Sequence, residues 1–238
     1  MFKGGTCLKK CFFDNYRFSE DLDFTILTQD HMQENFLKKI LKDVGEWVYE
    51  ESGIELPEKN ISIDLYKNPH GAFSVEGKLT YFDPLKQKTN FPRIKLDLTA
   101  YERVVLPPEK RLMFHKYSDK PADAPLILSY CYEEIFAEKL RALAERARPR
   151  DLYDVIHLYE ERHRISDKSK FMESLSAKCE FKKIPIPTLE HIEYHSQKKI
   201  LLSEWENMLR HQLPELKPFK YFWNQLQHVF EWISKSQK

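Results

Sequence analysis

The sequence predicts an α+β protein, with a mixed sheet and helices in its N-terminal half and helices alone in its C-terminal half. Two observations carry this. Before residue 100 several segments alternate apolar and polar residues with period two; after about residue 130 the apolar residues recur at helical spacing. The halves join around residues 105–130, which sets expected domains of 1–125 and 126–238.

The elements follow in chain order. Gly4-Gly5-Thr6 leads from a strand stub into a short helix over 6–16, "TCLKKCFFDNY". "LDFTIL" (22–27) has a strand profile. From about Asp30 to Ser52 the apolar positions Phe36, Leu37, Ile40, Leu41, Val44 and Val48 recur at helical spacing, and Gly53 stands where a C-cap belongs. "ISIDLY" (61–66), "AFSVEGKLTYF" (72–82) and "RIKLDLT" (93–99) read as strands, broken by His70-Gly71, Pro84 and Pro92. After Pro107-Pro108 and a short strand near 126–130, helices are expected over 132–147, 151–163, 167–179, 188–212 and 218–235.

The chain has 238 residues, 42% hydrophobic and 32% charged, which suits a folded protein with a real core. A net charge of +1 gives no global nucleic-acid signature, so an RNA partner needs a local patch. The longest nearly uncharged apolar stretch, "APLILSYCY" at 124–132, is too short to span a bilayer. Only Met1, Phe2 and Lys3 precede Gly4, leaving no room for a signal peptide. The expectation is a cytoplasmic protein with no membrane partner. Cys7, Cys11, Cys131 and Cys179 show no C-x-x-C spacing, and Cys7 and Cys11, one helical turn apart, read as a buried helix face.

The chemistry is in the carboxylates. Residues i and i+2 of a strand share a face, so Asp21 and Asp23 project side by side while Leu22 and Phe24 turn to the core. Two carboxylates that close repel unless a divalent cation lies between them. In "RIKLDLT", Asp97 is an acid on the polar face of another strand. If the two strands are neighbours, three aspartates converge, and two magnesium ions can clamp a phosphoryl group. Glycines at 4 and 5 let backbone approach a phosphate closely; the helix N-terminus and Lys9 or Lys10 add positive potential. No Walker-type G-x-x-x-x-G-K-[ST] exists in the chain. Each piece alone has an ordinary reading, as an acidic turn, a glycine turn or a salt-bridged strand residue. Together, in this order, they are far more specific.

A second cluster lies at 139–150, where Lys139, Arg141, Arg146, Arg148 and Arg150 face one acid, Glu145. Arg146 and Arg150 suit phosphate or an RNA backbone; a solvated basic face is the alternative. Lys139, Leu143, Arg146 and Arg150 share one face if the helix holds, but Pro149 is expected to end it. Asp151, just after that proline, also reads as an N-cap with Asp154 as its capping partner. His191 and His195 sit one turn apart with no third ligand evident, and Trp205, Trp223 and Trp232 read as packing anchors.

"GGT", then "SEDLDF" and a later "LDL", resembles the DNA polymerase beta-like nucleotidyltransferase superfamily. More narrowly, "KGGTCLKK", "RFSEDLDFT", "EEIFAEKLRALAERARPRDLYDV" and "SEWENML" resemble the AbiEii/AbiGii toxins, the abortive-infection nucleotidyltransferases of type IV toxin–antitoxin systems. The resemblance covers nearly the whole chain and implies a nucleotidyltransferase-like mixed sheet. It implies that Gly5, Thr6 and Ser19 hold nucleotide phosphates and that Asp21 and Asp23 bind Mg2+, with Asp97 as third acid. It matches Lys139 to the family's essential lysine and Asp151 to its essential aspartate. It further implies an NTP substrate, an RNA acceptor such as tRNA, and a cognate antitoxin from the adjacent gene.

Two alternatives stand beside this reading. One is a small-molecule-modifying nucleotidyltransferase, whose chemistry uses the same aspartates. The other is an inactive, N-terminally truncated homologue acting as a binding protein, since three residues before Gly4 would anchor the glycine turn poorly.

Overall fold

The structure is a computed structural model that describes residues 1–67, 73–82, 91–118 and 125–235. The chain divides into two compact units. The first comprises 1–14, 19–102 and 110–129; the second comprises 15–18, 103–109 and 130–238.

The first unit is built on a seven-stranded mixed sheet. Its strands are β1 (Phe2–Lys3), β2 (Asp21–Thr25), β3 (Ile61–Lys67), β4 (Phe73–Thr80), β5 (Arg93–Thr99), β6 (Glu109–Leu112) and β7 (Leu126–Ser129), in the order β3-β4-β5-β2-β1-β7-β6. β1 pairs antiparallel with β2 and parallel with β7, and β2 pairs parallel with β5. The glycine turn is therefore anchored: β1 is only two residues long, but it is hydrogen-bonded on both sides. β3, β4 and β5 stand at the spans expected as strands, 61–66, 72–82 and 93–99, β3 running on to Lys67 and β4 being shorter at its C-terminal end; Ala72 and the breaks expected at His70-Gly71 and Pro84 lie outside the described residues.

Two helices complete this unit. α1 (Gly4–Cys7) starts at the first glycine, earlier than expected, and runs on as a π-helical turn through Phe12. Cys7 and Cys11 lie on its buried face. α2 (Glu34–Ser52) ends where Gly53 takes a left-handed φ of 68°, as a C-cap glycine does. Leu37, with Met32 ahead of the helix, packs on Val75, Leu79, Leu96 and Leu98, the apolar face of β4 and β5. That leaves the opposite sheet face polar.

The second unit is helical: α3 (Tyr132–Arg146), α4 (Pro149–Glu160), α5 (Lys168–Lys182), α6 (Leu189–Glu193), α7 (Lys198–Ser203), α8 (Trp205–Leu209) and α9 (Phe219–Ser234). Two expectations are corrected here. The long helix over 188–212 is three short ones, because the chain turns at Tyr194 and again around Glu204. Pro149 opens α4 at its first turn, where a missing N–H costs nothing; α3 has already ended at Arg146, with Ala147 as its left-handed C-cap, φ 44°. The tryptophans pack as anchors: Trp205 on Phe219 and Phe222, Trp223 on Phe219, Trp232 on Phe136 and Phe171. The described residues contain no helix long and apolar enough to cross a membrane.

Candidate active site

Strand register settles which acids meet. Asp23 on β2 lies directly opposite Asp97 on β5, and Asp97 lies opposite Glu76 on β4. With Lys3 opposite Asp23 and Asp64 opposite Glu76, one row crosses five strands: Lys3, Asp23, Asp97, Glu76, Asp64. The next row on the same face is Asp21, Lys95, Lys78, Ser62. Directly opposed residues share a face, so Asp21, Asp23 and Asp97 lie on one face of two adjacent strands, the neighbourhood that the strand pattern leaves open.

The electrostatics of the trio are unfavourable as they stand. Burial, and then the Asp21 and Glu76 carboxylates, push the Asp97 carboxyl above its ordinary range. Asp21 Oδ1 is buried and has no hydrogen-bond partner among the described residues. Leaving a polar oxygen buried and unpaired is costly. A divalent cation answers both defects, so the donor set, all carboxylate oxygen, fits Mg2+. Asp21, Asp23 and Asp97 are the residues that would hold it.

The glycine turn is fitted to the same acids. Gly4 has φ 75°, and a Cβ there would stand 2.0 Å from Asp23 Oδ2. Only glycine permits this approach. Thr6 Oγ1 donates to the Asp21 carbonyl at 2.6 Å, tying α1 to the first residue of β2. Ser19, half-buried, lies in the segment leading into β2. Lys9 is partly buried with Lys10 and Lys116 near it; burial, then those like charges, lowers its ammonium pKa.

The second unit organises the other predicted residues around an aspartate that sequence reading treated only as a capping partner. Asp154 is fully buried. It accepts from Arg17 Nε at 2.6 Å and Arg17 Nη2 at 2.8 Å, from Lys139 Nζ at 2.8 Å, and from the Tyr16 hydroxyl. Burial alone would raise its carboxyl; Arg17 and Lys139 outweigh that and hold it well below the usual carboxylate range. Arg17 also reaches the Gln212 side chain at 3.0 Å. Lys139 is thus oriented by Asp154.

Asp151 has a different partner. Both its oxygens accept from Arg146, at 2.7 and 2.8 Å. It is not the N-cap: Arg148 holds that position and makes no side-chain cap, which corrects the capping-box alternative. The basic segment is largely neutralised from within, since Lys139 pairs with Asp154, Arg141 with Glu145 and Arg146 with Asp151. Arg148 is exposed, and Arg150 Nε is buried without a hydrogen-bond partner among the described residues. His191 and His195 stack at 6.3 Å. As the side chains stand, no three His, Cys, Asp or Glu among the described residues are gathered closely enough to hold a metal ion; Asp21, Asp23 and Asp97 share a sheet face but would have to draw together around one.

Tyr16, Arg17 and Asp154 are the residues that sequence reasoning missed. Arg17 opens the "RFSEDLDFT" stretch and Asp154 closes "RDLYD". A buried pairing across 137 residues leaves no periodic trace, so only their place inside the two motifs could have signalled them.

A family model described as nucleotidyl transferase AbiEii toxin, type IV TA system, matches residues 1–233. No curated protein matches. Among solved structures, JHP933 from Helicobacter pylori superposes with a TM-score of 0.55 at 17% identity, covering 98% of this chain and 82% of that one. MenT4, a nucleotidyltransferase toxin from Mycobacterium tuberculosis H37Rv, superposes with a TM-score of 0.52 at 16% identity, covering 99% and 85%. At these identities the two likenesses show the fold.

Proposed function

The chain belongs to the AbiEii nucleotidyltransferase toxin family of type IV toxin–antitoxin systems, and from that premise we propose that it transfers a nucleoside monophosphate from an NTP to an RNA hydroxyl, such as that of a tRNA, with Mg2+. The observation that carries the proposal is the Asp23–Asp97 register, with the unpartnered Asp21 Oδ1 on the same face. Bound there, two Mg2+ ions would supply Lewis-acid stabilisation of phosphoryl charge.

The chain's own residues do the rest. The backbone at Gly4-Gly5 and the polar side chains of Thr6 and Ser19 hold the nucleotide phosphates, with Lys9 adding positive potential. The acceptor hydroxyl oxygen bonds to the α-phosphorus, the bond from that phosphorus to the bridging oxygen breaks, and pyrophosphate leaves with the electron pair. Asp97 takes the hydroxyl proton. Lys139, oriented by Asp154, keeps two further N–H donors for an anion; Arg146 and Arg150 serve phosphate. Asp151 acts by holding Arg146. A cognate antitoxin is the expected protein partner and the cytoplasm the expected site of action.

Incubation with total RNA, Mg2+ and each of four α-labelled NTPs tests the reading. Labelled RNA with one NTP, abolished in Asp21→Ala and Asp23→Ala, supports it. Label retained by the double variant sinks the metal assignment. Label that appears only on a small molecule replaces the acceptor.

A further inference from the structure

In-line transfer puts the attacking and leaving oxygens on opposite sides of the phosphorus, and the sheet order gives those sides different chemistry. The glycine turn lies on the β1 side of the aspartates, with Gly4 against Asp23. Pyrophosphate held by that turn leaves toward β1, so the acceptor hydroxyl approaches from β5 and β4.

That side carries cations. On β5, Arg93, Lys95 and Asp97 alternate onto one face, and Lys95 stands directly opposite both Asp21 and Lys78. Lys78 is occupied, with Glu76 at 3.0 Å and Asp64 at 3.7 Å, and so balances the acids that continue the row. Arg93, exposed, and Lys95, half-buried, make no salt bridge among the described residues. Phe91, exposed, precedes them by two residues and stacks edge-on against Phe82. A cationic small-molecule acceptor would meet like charge here; a strand with phosphates and bases meets opposite charge and an aromatic face.

We propose that Arg93 and Lys95 bind backbone phosphates of the acceptor strand next to its reacting hydroxyl. The proposal rests on the nucleotidyl-transfer reading above, but its test does not need turnover.

The probe is a fluorescent single-stranded RNA 12-mer with a free 3′ hydroxyl, titrated by anisotropy across salt concentrations, alongside thermal shift with each Mg-NTP. In Arg93→Gln/Lys95→Gln, RNA affinity falls and the slope of log affinity against log salt becomes shallower by about 1.4, two contacts at about 0.7 each. The NTP-induced shift stays as in the wild type, and the charge-keeping Arg93→Lys/Lys95→Arg protein retains RNA binding. Unchanged RNA affinity in the Gln variant overturns the proposal. So does a wild type that binds no RNA, or an NTP shift lost together with RNA binding. A wild type stabilised by no NTP and labelling no RNA instead removes the transfer reading, whatever the RNA titration gives.

Discussion

Lys139 and Asp154, fifteen residues apart on consecutive helices, form an ion pair at 2.8 Å in which the aspartate is fully buried and also bound twice by Arg17. Removing the Asp154 charge strands two cations in a low-dielectric interior. Breaking a buried pair from one side costs about 3–5 kcal/mol. Asp154→Asn is therefore expected to lower unfolding free energy by that amount in urea titrations followed by tryptophan fluorescence. Lys139→Met leaves the Arg17 fork in place and costs less, while abolishing RNA labelling. Equal destabilisation by the two variants would refute this division of roles.

Acid should weaken the second unit through the same carboxylate. Its folded pKa is depressed, because Arg17 and Lys139 outweigh the effect of burial. A depressed value contributes stability that is present above the unfolded pKa of about 3.9 and is lost as pH falls through the folded value. Wild-type stability is thus expected to drop below about pH 4. Asp154→Asn, lacking the group, shows a flatter acid limb. Denaturant titrations at half-unit pH steps compare the two slopes, and parallel slopes would count against Asp154 as the source.

Gly4→Ala is expected to fail at the site as well as in the fold. Gly4 has φ 75°, and an added Cβ would sit 2.0 Å from Asp23 Oδ2, so Asp23 or the turn must move. The left-handed backbone alone costs about 1–2 kcal/mol for a residue with a Cβ. Gly53→Ala supplies the control, since Gly53 has φ 68° with nothing near its Cβ position. Both lower Tm; only Gly4→Ala loses Mg-NTP binding in a thermal-shift assay. Intact binding in Gly4→Ala would show that the close approach to Asp23 has no role.

These contrasts show what a sequence can reveal. Period-two alternation places Asp21, Asp23 and Asp97 on polar faces because a strand's side-chain period is fixed by its backbone. That β2 and β5 are neighbours is a pairing choice, legible in the chain only through the combination of motifs. The β6 strand "EKRL" carries three charges in four residues and gives no apolar signal. The break at Tyr194–Gln197 contains neither glycine nor proline, so the 188–212 pattern reads as unbroken helix. On α2, Phe36 and Ile40 fit the helical period yet are exposed, while Leu37 meets the sheet; spacing defines two stripes, and only packing chooses between them.

Asp97→Asn should separate the metal site from the fold by moving stability upward in metal-free protein. Burial and the carboxylates of Asp21 and Glu76 raise the Asp97 pKa, so the folded state disfavours its charge at neutral pH. A neutral amide removes that cost, and each kcal/mol regained raises Tm by about 2–4 °C in a chain of this size. Mg2+ is expected to raise Tm of the wild type by binding the native state. The same ion should leave Asp97→Asn nearly unmoved, because one of three carboxylates is gone. A thermal scan in chelator and in Mg2+ reads both effects. A variant less stable than wild type in chelator, or equally stabilised by Mg2+, would contradict the placement of Asp97 among the metal-holding acids.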